Sequence, residues 1–356
     1  MPLQVIEMTD PLTNLIRFRT SPVYELMLSL SVMLHPMRRD SAWVARAREA
    51  LEPEFWAELA AVYEPYGKGG LFFEMAIDYP DHEDVEGFFE YVRALDPVHF
   101  VFYLTGRVVP VERLAATRLE PAAVWAALDE VKELCYWLYQ GDISLEPILA
   151  DVPAFQERLT ALWRRYWNTF FRDEIDALRP HWERAIRDKA SILSRAGGQG
   201  LFEYVLGKSE LPPPLPPDHP ITSIVFIPIY LIPSPVYMFY GYGNVTVLFD
   251  SERTEARRTE IERGKEQALT VLKALSDGSR LDILRLIARH EAEMHGKKIA
   301  AKLNLSASAV SRHLSQLRDA GLIEEHMHED RTITYRLQQS VIERLPNMLF
   351  EYLWYT

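Results

Sequence analysis

Residues 296–337 read GKKIAAKLNLSASAVSRHLSQLRDAGLIEEHMHEDRTITYRL, and their spacing decides what the C-terminal part of the chain is. Lys297–Leu303 spells a short helix with Ile299, Ala300 and Leu303 inward, and Asn304-Leu305 forms a turn. Ser306 is placed as the N-cap of the next helix. There Val310, Leu314 and Leu317 recur at i, i+4 and i+7, an apolar stripe. At about 100° per residue the opposite face carries Ser308, Arg312, Ser315, Gln316 and Asp319, with Ser311 at its margin. Ala320-Gly321 stops the helix. Leu322–Met327 and Thr332–Leu337 then alternate as strands around Glu329-Asp330-Arg331, a β-wing. Small residues at the start of such a helix let its backbone approach a major groove, where Ser and Arg donate to base edges and phosphates. The candidate DNA-contacting residues are therefore Ser306, Ser308, Ala309, Ser311, Arg312, Ser315 and Gln316. Lys297 and Lys298 on the preceding helix and Arg331 in the wing join them.

Upstream of this stretch, Gln267–Ser276 and Ser279–Arg289 are amphipathic helices broken at Asp277-Gly278. Residues 251–265, dense in charge, suit a solvated linker helix, which sets a winged helix-turn-helix domain at 266–356. The terminal segment, Gln339–Trp354, is a helix rich in Leu349, Phe350, Tyr352, Leu353 and Trp354 that packs on the domain or forms a dimer seam. Pro346 is expected to break or kink it. The chain carries a formal net charge of −12, yet residues 266–340 hold 11 Lys/Arg against 10 Asp/Glu. The acidity lies elsewhere, mostly in residues 1–265. A near-neutral module on an acidic body can bind nucleic acid when its cations share a face, with a strong salt dependence.

Residues 1–250 read as a mainly helical domain. Leu3–Glu7 and Leu15–Arg19 are short strands, and Ser21-Pro22 opens a helix with Ser as cap and Pro at the first helical position. Further helices are predicted over 41–50, 53–63, 84–95, 121–140 and 152–178. Val124, Leu128, Val131, Leu134, Cys135 and Leu138 form the stripe of the fourth of these, and Phe155, Leu159, Leu162, Tyr166 and Phe170 that of the fifth. Seven of the eight tryptophans (43, 56, 125, 137, 163, 167, 182) fall in this region and read most simply as core, with an aromatic-lined ligand pocket as the alternative. Leu211–Pro220 is too proline-rich for a helix. Ile221–Ile227 and Val236–Tyr240 follow as strands, and Gly241-Tyr-Gly-Asn244 returns the chain into Val245–Phe249 as a hairpin. The expected fold class is mainly α with small β elements: an α-helical N-terminal domain with a small antiparallel sheet, and a C-terminal winged helix-turn-helix.

Composition narrows the chemistry. At 48% hydrophobic and 25% charged the chain is globular. A single cysteine, Cys135, excludes an internal disulfide framework and multi-thiolate metal sites, and its place on an apolar stripe makes it buried and inert. No apolar run approaches the roughly 18–20 residues of a membrane span, and the start lacks a secretory pattern, so the expected location is the cytoplasm. Gly207-Lys208-Ser209 is no P-loop, because Phe202 stands where glycine is required. Gly241-Tyr-Gly243 leads into a hairpin and is no dinucleotide fingerprint. His326 and His328 share a strand face, but two histidines without a third ligand make an incidental pair. No catalytic residue, cofactor or metal site is expected, and the chain is not expected to be an enzyme.

The residues of the C-terminal module resemble the ArsR family of winged-helix regulators. The matching stretches are Leu272-Lys-Ala-Leu-Ser-Asp-Gly-Ser-Arg-Leu-Asp-Ile-Leu284, Ile299-Ala-Ala-Lys-Leu-Asn-Leu-Ser306, Val310-Ser-Arg-His-Leu-Ser-Gln-Leu-Arg-Asp-Ala-Gly-Leu322 and Thr334-Tyr-Arg-Leu337. The long N-terminal part is similar to the helical domain of unknown function that precedes this module in some long ArsR-type regulators. The resemblance implies a homodimeric repressor on a pseudo-palindromic double-stranded DNA operator, relieved by an effector, with the terminal helix at the dimer seam. The family's Cys-x-Cys metal pair is absent, since the corresponding stretch is Met294-His-Gly-Lys-Lys298. The terminal helix has Glu343 and Glu351 but lacks the histidine of the family's other metal site, so metal response is not implied; the effector is an unknown one other than a thiolate-bound metal, with a small molecule as a candidate. The wing departs from the family's often basic loop, with one arginine beside two acids. Arg280 matches the family pattern and is read as a brace between helices, and His313, at the edge of the stripe, as a packed residue. Two other classes remain: a scaffold whose winged helix binds protein, and an enzyme domain with a DNA-binding tail.

Overall fold

The structure, a computed structural model, describes residues 12–36, 40–139, 143–208, 210–290, 294–328 and 331–355. The strand expected at Leu3–Glu7, Ser209 and the wing tip Glu329-Asp330 lie outside the described residues. Two compact units divide the chain, Met1–Thr254 and Glu255–Thr356. Among the described residues no helix is long and apolar enough to cross a membrane.

The first unit is helical around one buried helix. After β1 (Ile16–Phe18), α1 (Pro22–Leu34) starts where Ser21 accepts the N–H of Tyr24 at 3.0 Å, with proline at the first position. Every residue of α1 from Pro22 to Met33 is buried, so apolar side chains occur on all its sides rather than in one stripe, with Glu25, Ser29 and Ser31 buried among them. Around it stand α2 (Ser41–Ala50), α3 (Pro53–Tyr63), a 3₁₀ segment (Glu64–Ala76), α4 (Val85–Ala94), α5 (Pro97–Leu104), α6 (Val111–Ala116), α7 (Pro121–Asp129), α8 (Glu146–Ala150) and α9 (Val152–Tyr166). A single π-turn at Trp167–Phe171 then passes into α10 (Arg172–Leu206). The helical run predicted at 152–178 thus continues well past Leu178. Pro180 is tolerated inside it, and Gly197 (φ 70°) interrupts the helical backbone. Trp43, Trp163 and Trp182 are buried, and Trp56, Trp125, Trp137 and Trp167 pack against the same core. The indole N–H of Trp163 donates to Tyr63 Oη (2.8 Å) and that of Trp182 to Glu25 (2.8 Å).

The helix expected over 121–140 ends at Asp129 instead. The chain turns back so that Tyr139 Oη donates to Asp129 (2.8 Å) and its ring meets Trp125 at 5.6 Å. In a straight helix Asp129 and Tyr139 would be separated by about 15 Å. Cys135 and Leu138 still reach the core, while Leu134 is left 40% exposed.

The sheet of this unit is mixed rather than wholly antiparallel. Its strands are β1, β2 (Ser223–Ile229), β3 (Val236–Gly241) and β4 (Asn244–Asp250), in the order β1-β2-β4-β3. β3 and β4 form the expected antiparallel hairpin. Its two-residue turn, Tyr242-Gly243, has both residues at positive φ (52° and 79°), the geometry whose twist matches the strands. β2 pairs parallel to both β1 and β4. The reason lies in the side chains. Ile224, Phe226, Val245, Val247 and Phe249 face α10, whereas Ile227, Ile229 and Leu248 join the core around α1. Strands apolar on both faces belong in the middle of a sheet, and β2 and β4 take the two central places.

The second unit opens with α11 (Glu255–Leu275), followed by α12 (Gly278–Arg289), α13 (Gly296–Leu303), α14 (Ala307–Asp319), β5 (Ile323–Met327), β6 (Ile333–Leu337) and α15 (Gln339–Tyr355). The charged segment 251–265 is therefore no separate linker helix: from Glu255 it is continuous with the helix expected at 267–276. Ile261, Ala268, Val271 and Ala274 are its buried stripe, and they bind its charged half to the same domain as its apolar half. α15 runs antiparallel along α11. Arg257 meets Glu351 at 2.6 Å, Lys265 lies 4.4 Å from the Tyr352 ring, and Met348 packs at Gly264. Pro346 does not break α15. It sits on the exposed side, as does Ile342, so the carbonyl that loses its partner can turn to water.

Candidate nucleic-acid interface

Asp277 caps α12 by accepting the N–H of Arg280 at 3.0 Å, which holds its carboxyl below the ordinary aspartate range. His295 caps α13. α13 ends at Asn304, whose left-handed φ of 53° is one that asparagine tolerates, and Leu305 N–H closes the turn on Ala300 O at 3.1 Å. Ser306 then accepts the N–H of Ala309 at 3.2 Å and starts α14. Val310, Leu314 and Leu317 are buried against Ile283, Ile287 and Ile299. This packing fixes which side of α14 looks outward. Replacing Ser306 with alanine leaves the Ala309 N–H without its cap, so thermal unfolding of the second unit should register a loss of about 1 kcal/mol. An unchanged melting curve would show that water caps the helix equally well.

The outward side of α14 carries Ser308, Ser311 and Arg312, all exposed, with Ala309 and Ser315 half-buried beside them. Ser306 and Ser308 hydroxyls lie 3.1 Å apart. Among the described residues Lys297, Lys302, Arg312 and Arg331 have no carboxylate partner. Six surface arginines of the first unit behave otherwise: Arg46, Arg158, Arg164, Arg165, Arg172 and Arg179 each meet a glutamate within 2.9 Å. Exposed cations left unpaired around one helix are available to an external anion.

Two side chains of α14 are already engaged. Gln316, expected on the outer face, presents its side-chain oxygen to Arg280 Nη1 at 2.6 Å. Arg280 also donates from Nε to Ala274 O (2.6 Å) and from Nη2 to Lys273 O (2.8 Å), capping the end of α11. The brace read in the sequence is therefore a hydrogen-bonded tie among α11, α12 and α14. Arg318 lies 3.1 Å from Glu325 on β5 and 3.5 Å from Asp319. Periodicity alone did not reveal this pair, because a helix-to-strand contact has no fixed spacing. His313 is buried, with Nδ1 unpaired.

β5 and β6 pair antiparallel with Met327 opposite Ile333, and His328 N–H closes the wing on Thr332 O at 2.9 Å. Arg331 is exposed at φ 66°. The two wing histidines do different things: His328 Nε2 bonds Thr334 Oγ1 at 2.8 Å, while His326 lies 3.9 Å from Glu324. Between α14, the start of α13 and the wing lies a cleft of about 370 Å³. Val310, Leu314 and Tyr335 floor it, and Lys297, Ser311, Ser315, Arg318 and Glu325 stand around it.

Residues 277–325, from the cap of α12 to the middle of β5, match the profile of the family described as "Bacterial regulatory protein, arsR family". The transcriptional activator HlyU of Vibrio cholerae is 31% identical over 90 residues, which cover 25% of this chain and 81% of HlyU. The HTH-type transcriptional regulator YgaV of Escherichia coli is 33% identical over 86 residues, 24% of this chain and 85% of YgaV. The arsenic resistance transcriptional regulator ArsR1 of Pseudomonas putida is 37% identical over 79 residues, 22% of this chain and 60% of ArsR1. A solved structure of reduced HlyU is 31% identical, covering 27% of this chain and 96% of that one, at a TM-score of 0.22. With more than four fifths of HlyU and of YgaV covered, and the profile-matched residues 277–325 folded as the three helices α12 to α14 leading into the first strand of the wing, this chain belongs to the arsR family of DNA-binding bacterial regulators.

Proposed function

We propose that the chain is a homodimeric repressor that places α14 in successive major grooves of a pseudo-palindromic operator, under control of a small-molecule effector. The observation that carries the DNA contact is the unpaired, exposed Arg312 on a helix whose opposite face is locked in the core. Ser306, Ser308, Ala309, Ser311 and Ser315 would line the approach to the bases, and Lys297, Lys298 and Arg331 would meet phosphates. Gln316 would serve through Arg280 rather than by touching a base. Half-sites would lie about one helical turn apart.

The apolar side chains left exposed on α11 and α15 support a dimer seam. Leu269, Leu272, Ile342 and Leu353 are 46%, 39%, 37% and 64% exposed, more than a solvated helix pair needs. A thiolate metal sensor is disfavoured, because Cys135 is buried and burial pushes its thiol up to about 11. Residues 1–250 would form the effector-sensing or dimer-positioning part. An effector there acts only by binding one arrangement of the DNA-reading heads better than another.

The test is selection of genomic duplexes by the purified chain, followed by sedimentation of the best fragment with protein. A pseudo-palindrome holding two protomers is expected. No enriched fragment at low salt would overturn the reading in favour of a protein-binding winged helix.

A further inference from the structure

We infer that Glu325 is a negative gate on DNA affinity: it holds Arg318, the second cation of α14, in an ion pair across the cleft and away from the phosphate backbone. This rests on the DNA-binding reading above and adds to it a residue that opposes binding. Arg318 and Glu325 stand on opposite walls of the cleft, one on α14 and one on β5, and their side chains approach to 3.1 Å. Both remain partly open to solvent, at 47% and 33% exposed, so the pair can exchange for another partner without unburying a charge.

The remaining walls suit a phosphodiester. Lys297 is exposed and unpaired at one end, and the hydroxyls of Ser311 and Ser315 line the α14 side. Arg318 Nη2 lies 3.1 Å from Ser315 Oγ, so both would face the same strand. The cleft adjoins the outward face that bears Arg312. A strand seated there would meet Lys297, the two serines and Arg318 as donors, and Glu325 as the one carboxylate of the lining. Binding must therefore replace the contact with Glu325 by one with phosphate. That exchange takes affinity from the first step, and it keeps one counterion-releasing contact out of weak complexes.

The experiment needs no operator. The full chain and its variants are titrated onto a mixed-sequence duplex of about three helical turns, from low to physiological salt, by fluorescence anisotropy. Glu325→Gln should bind about three- to tenfold tighter than wild type, with a salt slope steeper by about one per protomer. In an Arg318→Ala background the same substitution should change affinity little, because the released cation is gone. Equal tightening in both backgrounds would overturn the gate, since it would mean that any lost negative charge suffices. Coincident curves for wild type and Glu325→Gln, with Arg312→Ala weakened, would remove the gate and leave the DNA reading standing. A duplex bound by no variant would end both.

Discussion

Replacing Arg312 with alanine is expected to weaken binding of the selected operator about 10- to 100-fold while leaving the fold intact. The size of the effect follows from what the side chain has to offer. A guanidinium presents five donors in a rigid fork, and a bidentate contact to guanine or phosphate uses two of them. In the free protein this one is exposed and spends none on a carboxylate, so no internal pair must break first. Its loss leaves no buried hole either, and the melting curve should move little. The salt titration tells which contact is lost. A phosphate contact lowers the salt slope by about one, whereas a base contact leaves the slope and relaxes the sequence preference. Operator affinity equal to wild type would withdraw Arg312 from the interface.

Acid should destabilise the first unit through His82. The imidazole is buried, 3% exposed, with Nε2 2.9 Å from Ala76 O and Nδ1 2.9 Å from Ser21 Oγ. The carbonyl requires a proton on Nε2, so Nδ1 is left to accept from the Ser21 hydroxyl. That hydroxyl oxygen in turn accepts the Tyr24 N–H and caps α1. Protonating Nδ1 would reverse that bond, take from the Ser21 hydroxyl the acceptor of its hydrogen, and place a charge in a buried site at the start of the central helix. Burial, with the nearby Arg19 guanidinium, pushes the histidine down from 6.5 to about 4. Between these values the unfolded chain binds a proton that the native unit refuses. The stability is therefore fully present above pH 6.5 and is lost as the pH falls to about 4, a change of about 3 kcal/mol. Seven of the eight tryptophans lie in this unit, so urea unfolding followed by their fluorescence at neutral and acid pH reads it directly. In His82→Gln the drop between the two pH values should shrink by most of that amount. A variant as acid-labile as wild type would assign the lability to other groups.

The two predictions stand at different distances from the sequence. Arg312 could be placed outward from sequence alone, because Val310, Leu314 and Leu317 define the buried side of a single helix and geometry assigns the rest. His82 drew no attention there, because nothing in Asp81-His82-Glu83 announces that Ser21 and Ala76 will close around the ring. Gln316 shows the limit within one helix. Its angular position put it on the outer face, and only the approach of α12 brought Arg280 to its oxygen.

What the sequence by itself determined are the features whose causes lie within about ten residues. These are the caps at Ser21 and Ser306, the stop at Gly321, the Tyr242-Gly243 hairpin, the two helices and wing of the DNA-reading module, and hence the family. Each arises from backbone propensity, side-chain period or turn chemistry, which are properties of a short segment. Only the tertiary structure decided how β2 and β4 share a mixed sheet, that residues 255–275 form one helix, and that the chain folds back after Asp129. It also decided the Arg280–Gln316 tie and the Arg318–Glu325 pair. Those depend on which surfaces meet, and side chains brought together by packing leave no spacing in the sequence by which they could be read.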